Sequence, residues 1–145
     1  IVMDVLWPQE SAGLWRGLMQ TNLENSDDAD WFVENTAAGG IGISQYFGQL
    51  SPNVWHRIAL VAKAASEQGE IKVFIDGTLV GQIGEINERW ALADKLLLLT
   101  DNNGETAAGY LSGLLFSGRP YTTNEIQALG SAQDEISLMP VSHKH

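Results

Sequence analysis

Apolar residues in this chain recur at every second position within short runs, and clusters of Gly, Asn, Asp and Ser separate the runs. Period two is the strand period, because successive side chains of an extended backbone point to opposite faces. The pattern predicts strands over residues 1–7, 14–21, 30–34, 40–47 and 54–64, a hairpin of 70–76 with 78–83, and strands over 95–100 and 109–117. Pro8 stops the first. In the second, Trp15, Gly17 and Met19 are expected on one face and Leu14, Arg16, Leu18 and Gln20 on the other. Asp76-Gly77 sits between two alternating runs, which marks a tight hairpin turn that needs positive φ. Phe74 is expected to face away from Val73 and Ile75. The continuous apolar run of 95–100 predicts a strand covered on both faces. Trp7, Trp15 and Phe116 are expected in the core, and Trp55 as a plug at one end.

Helix signals occur once. Thr122 with Glu125 three residues on forms a capping box ahead of Ile126, Ala128 and Leu129, and Gly130 supplies the stop. Residues 131–145, broken by Pro140, read as a linker or tail. Many short strands with one late helical turn predict an all-β fold, an antiparallel β-sandwich over residues 1–130 with a short C-terminal helical turn.

Charge narrows the function classes. Eight Lys and Arg stand against 18 Asp and Glu, a net charge of −10 in 145 residues. Such a polyanion is ill suited to nucleic acid or to an anionic membrane surface, both of which are held largely by Lys and Arg. The run Leu96 to Leu99 is far too short to insert into a bilayer. Cysteine is absent, which excludes disulfides, thiolate metal sites and cysteine nucleophiles.

Two loops concentrate oxygen ligands: 25–30 (Asn-Ser-Asp-Asp-Ala-Asp) and 101–106 (Asp-Asn-Asn-Gly-Glu-Thr). Calcium takes six to eight oxygens from carboxylates, amides and backbone carbonyls. Asp28, Asp30, Asp101, Asn102, Asn103 and Glu105 are therefore the candidate metal ligands. The same residues are also ordinary turn formers. Catalytic patterns are not found. The nearest approach to paired glycosidase carboxylates on one strand, residues 85–88, lacks a central Asp. His56 beside Trp55 reads as a rim residue, and His143 and His145 as tail.

The segment Asn53-Val54-Trp55-His56-Arg57-Ile58-Ala59-Leu60-Val61, followed by Val73-Phe74-Ile75-Asp76-Gly77-Thr78-Leu79-Val80-Gly81, resembles the laminin-G-like jelly rolls of the concanavalin-A-like lectin/glucanase superfamily. Gly109 to Phe116, then Arg119-Pro120-Tyr121-Thr122 and Glu125-Ile126, resembles that family's closing strand and turn. The resemblance implies calcium in rim loops, an extracellular or cell-surface setting, and a non-catalytic binding or adhesion module that recognises a glycan or protein surface. Trp90, Tyr46 and Trp31, with Tyr121, are the rings expected to contact such a ligand. The family's domains begin with one or two further strands beside the closing strand. The resemblance therefore implies an open sheet edge where a partner strand or chain can bind. The alternative role is a structural or assembly domain of a larger secreted protein, or an accessory of a multidomain hydrolase, working through that edge.

Overall fold

A computed structural model of the chain describes residues 1–25, 30–63, 69–84 and 92–133. Alternating runs become strands: β1 (Val2–Leu6), β2 (Arg16–Gln20), β3 (Asp30–Val33), β4 (Ile41–Ile43), β5 (Gln45–Phe47), β6 (His56–Lys63), β7 (Glu70–Ile75), β8 (Thr78–Gly84), β9 (Leu97–Leu98) and β10 (Tyr110–Leu115). They form two antiparallel five-stranded sheets, ordered β10-β1-β6-β7-β8 and β5-β4-β3-β2-β9. Met3, Val5, Ile58, Leu60, Val73 and Ile75 of the first sheet meet Trp31, Val33, Ile41 and Ile43 of the second in one buried core. The expected all-β sandwich is present. No helix among the described residues is long and apolar enough to cross a membrane.

Three strand expectations are corrected. Residues 40–47 are two strands, because Ser44 takes a left-handed backbone (φ 53°) and folds Gln45 back against Ile43. Both halves keep period two, so their alternation reads through the turn. Of residues 95–100 only Leu97 and Leu98 pair, with Gln20 and Met19. Leu99 then turns away with φ 57°, and the run is half-buried, not covered on both faces. In β2 the register shifts between Gly17 and Met19, so Gly17 lies opposite Phe32 but Met19 opposite Trp31. That bulge moves Met19 to the core side and breaks the expected face assignment. Phe116, expected in the core, is exposed beyond the end of β10. Trp7 is buried as expected, whereas Trp15 is only half-buried.

The hairpin and helix form as their signals require. Asp76 and Gly77 both have positive φ (50° and 77°) between β7 and β8. Helix α1 (Thr123–Leu129) opens with a complete capping box: the Glu125 amide donates to the Thr122 hydroxyl, and the Thr122 amide donates to the Glu125 carboxylate at 2.7 Å. Arg119 binds the same carboxylate, and with the Thr122 amide it holds the Glu125 pKa down to about 2. Phe74 does face away from Val73 and Ile75. It joins Val2, Ala59 and Leu115 on the outer face of the first sheet, where Ile126 and Leu129 of α1 cover them.

A buried ion pair anchors this second layer. Asp4 on β1 lies directly across from Arg57 on β6, and the guanidinium grips the carboxylate with two bonds of 2.8 Å. The remaining Arg57 nitrogen donates to the carbonyl of Leu129 at the end of α1. The Arg57 backbone amide donates to Asp76 Oδ1, and the Asp76 amide donates back to the Arg57 carbonyl. Removing one partner of a buried pair leaves an uncompensated charge, at a cost of about 3–5 kcal/mol. Asp4→Ala should lower the unfolding free energy by that amount in urea titrations, and Asp4→Leu with Arg57→Met should recover most of it. A loss below about 1 kcal/mol for Asp4→Ala would contradict this account of the pair.

Candidate functional site

The outer face of the first sheet is closed by α1, whereas the outer face of the second carries Asp30 and the 99–106 loop. Trp31 and Val33 point into the core, so Asp30 and Phe32, one position apart from them, point outward. Phe32 pairs with Gly42, which pairs with Tyr46, so Tyr46 shares that face. Trp15 stands on it too, edge-on to Phe32 (5.9 Å between centroids) and tilted against Tyr46 (5.4 Å).

Segment 99–106 lies flat across the same face. It can do so because residue 17 is glycine: a Cβ there would fall 2.7 Å from the Thr100 carbonyl carbon. The Gly17 amide donates to the Glu105 carbonyl at 2.8 Å, and the Gln20 side chain accepts from the Asn102 amide at 3.3 Å. Within the loop, buried Asp101 accepts from the amides of Glu105 (2.6 Å) and Asn103 (3.3 Å). With the Asn103 amide nitrogen facing it, Asp101 also accepts at 2.7 Å through its second oxygen. Asp101 is thus the brace that shapes the loop.

Asp30, at the start of β3, meets the 101–106 loop here. Partial burial raises the Glu105 pKa, and the neighbouring Asp101 carboxyl, which is close enough to share a proton, and Asp30 raise it further. Burial likewise raises the Tyr46 pKa, with Asp30, Glu34 and Glu105 adding to the effect. Tyr46 therefore stands, protonated, within the field of three carboxylates. The Asn25 amide nitrogen donates to Asp30 Oδ2 at 3.1 Å, while its buried Oδ1 has no hydrogen-bond partner. Among the described residues, no three His, Asp or Glu side chains form a group that could hold a metal ion by themselves. A calcium site here would therefore draw on amide or backbone oxygens as well, and Asn25 Oδ1 is a donor of the fitting kind.

Of the expected site residues, Asp30, Asp101, Glu105 and Tyr46 come together, and Asn102 and Asn103 sit exposed on the loop beside them. Asp28 and Trp90 lie outside the described residues. Trp31 is corrected: it is fully buried between the sheets, because the strand period that turns Asp30 outward turns Trp31 inward, so its ring cannot contact a ligand. Tyr121 lies apart, under the Arg119 guanidinium at 4.6 Å. Trp15, expected in the core, belongs to the site. It precedes β2, where period two no longer assigns a face. His56 is committed on both ring nitrogens. Its Nε2 accepts from the Ser51 amide, which leaves Nδ1 to donate to Asp76 at 2.7 Å.

Comparison of the chain with protein-family models, curated proteins and solved structures finds no match.

A pH dependence follows from Glu105. Its carboxyl binds a proton more tightly in the folded than in the unfolded chain, so ionisation costs stability as pH rises from the ordinary glutamate range through the raised folded value. Glu105→Gln should therefore raise the melting temperature at pH 7 and leave it nearly unchanged near pH 3.5. An equal effect at both pH values would contradict the shared carboxylate field.

Proposed function

We propose that this chain is a non-catalytic, extracellular or cell-surface binding module that recognises a glycan across the outer face of the second sheet, with calcium held at its acidic rim. The observation that carries the reading is the convergence of Asp30 from β3 with Asp101 and Glu105 from the 101–106 loop beside the Trp15 and Tyr46 rings. Aromatic rings offer flat apolar platforms to sugar faces, and carboxylates and amides accept from hydroxyls. Asp30, Glu105, Asn25 Oδ1 and the carbonyls of the 101–105 loop would hold the ion. Bound there, calcium would offset the mutual repulsion of the carboxylates and offer coordination positions to hydroxyl oxygens. The likeness of the 53–81 and 109–126 segments to laminin-G-like jelly rolls points the same way. A non-catalytic role is supported by Asp101, whose carboxylate is engaged by its own loop, and by His56, engaged on both nitrogens.

A second reading, an assembly domain, is favoured by a different observation. Strand β10 lies at the edge of the first sheet, and Tyr110, Leu111 and Leu114 on it, with Phe116 after it, are exposed. Exposed apolar edge strands accept further strands.

Thermal unfolding with calcium and with a chelator tests the first reading. Calcium at about a hundredfold its Kd should stabilise the fold by about 2.7 kcal/mol. The shift should shrink with Asp30→Asn and Glu105→Gln. Glycan-array binding in calcium should then be lost with Trp15→Ala or Tyr46→Ala. The absence of both a calcium shift and glycan binding, together with self-association that Leu111→Lys abolishes, would replace this reading with the second.

A further inference from the structure

Arg16 has no role in the binding face, yet it is buried with only 4% of its surface exposed. Its Nε donates to the carbonyl of Leu14 at 3.1 Å, and its guanidinium lies 5.1 Å from the centre of the Trp7 ring. Among the described residues no carboxylate pairs with it, and its two terminal nitrogens donate no hydrogen bond. This contrasts with Arg57, whose guanidinium meets a carboxylate and a carbonyl. A buried charge is costly unless it is paired. Burial lowers the Arg16 pKa, as expected for a cation without a counter-charge.

The guanidinium borders a cavity of about 90 Å³ that is also lined by Trp7, Leu99, Thr106, Ala107 and Tyr110. That is space for about three waters. Arg16 is the one charged residue in the lining; the rest is apolar or neutral. Three features define what would fit. One cation neutralises one negative charge, so a dianion would keep an uncompensated charge out of water. The terminal nitrogens donate to no acceptor of the chain, although Nη2 packs beside Gly39 and not in the cavity lining, so the guanidinium keeps unspent donors for the oxygens of a carboxylate. The volume admits a group of only a few non-hydrogen atoms.

We propose that this cavity is a binding site for a small monocarboxylate, held by the unspent donors of the Arg16 guanidinium beside the Trp7 ring. The Thr106 hydroxyl, at the cavity wall, donates to the Leu99 carbonyl at 2.7 Å and closes the loop over the site. The cavity shares Gly17, Leu99 and Thr106 with the loop of the outer face, but it calls on none of the carboxylates there, so it does not depend on the glycan reading.

The test is thermal unfolding in sodium acetate against sodium chloride at equal ionic strength, pH 7.5, with chelator present. Acetate and formate should raise the midpoint saturably, by roughly 3 °C at about tenfold their Kd. Pivalate, too large for the cavity, should act as chloride does. Arg16→Lys keeps the charge but loses the fork and should weaken the acetate effect at least tenfold. Ala107→Leu fills the cavity without touching the guanidinium and should abolish it, which keeps the test decisive where an Arg16 variant fails to fold. Equal shifts from acetate and chloride, a full acetate shift in Ala107→Leu, or stronger stabilisation by phosphate than by acetate would each overturn the proposal.

Discussion

The bidentate bond between Arg57 and Asp4 is the constraint around which the first sheet is organised. It crosses from β6 to β1 at the register where the two residues face each other, and it sits on the outer surface of the sheet, away from the sandwich core. A charge there would normally face water. Here α1 covers it, and the helix's terminal carbonyl at Leu129 takes the remaining donor. The pair therefore needs the helix to be buried, and the helix needs the pair to satisfy its C-terminal end. Asp76 extends the arrangement into the hairpin turn by binding both the Arg57 amide and the His56 ring.

Closing one outer face leaves the sandwich asymmetric. On the second sheet the outer covering is a single loop, pressed flat by the absence of a side chain at Gly17 and braced internally by Asp101. Around it stand half-buried rings and carboxylates, and the carboxylates add to the raised pKa values of Glu105 and Tyr46. Repulsion of this kind is a cost the fold bears locally, and such costs concentrate where a ligand relieves them. The proposed binding face rests on this physical contrast: one surface has its charge paired and buried, and the other has its charge gathered and accessible.

How legible each part was in the sequence follows from the range of the interactions involved. The Asp76-Gly77 turn and the Thr122–Glu125 capping box are local devices, complete within four residues, and they form as read. Strands β1, β3, β6 and β7 are short apolar-rich runs bounded by turn formers or polar residues, and were legible for the same reason. The turn at Ser44 carries no Gly or Asn signal, and the bulge in β2 shows only in its pairing with β3, so both lay beyond local pattern. In the site, the residue types were legible but not their meeting. Asp30 and Asp101 are 71 positions apart, and the topology of β2, β3 and the 99–106 loop unites them. Trp31 shows the reverse failure: a ring next to an acidic loop looks available until the strand period turns it inward.

The most direct test of the account is a backbone amide spectrum recorded during titration with calcium and then with a glycan from the array screen. Moving resonances should cluster on the outer face of the second sheet, at Trp15, Asp30 to Glu34, Gln45 to Phe47 and Thr100 to Thr106, while α1 and the Asp4–Arg57 region stay still. Resonances that move along β10, from Tyr110 to Leu115, with the acidic face unchanged, would contradict it.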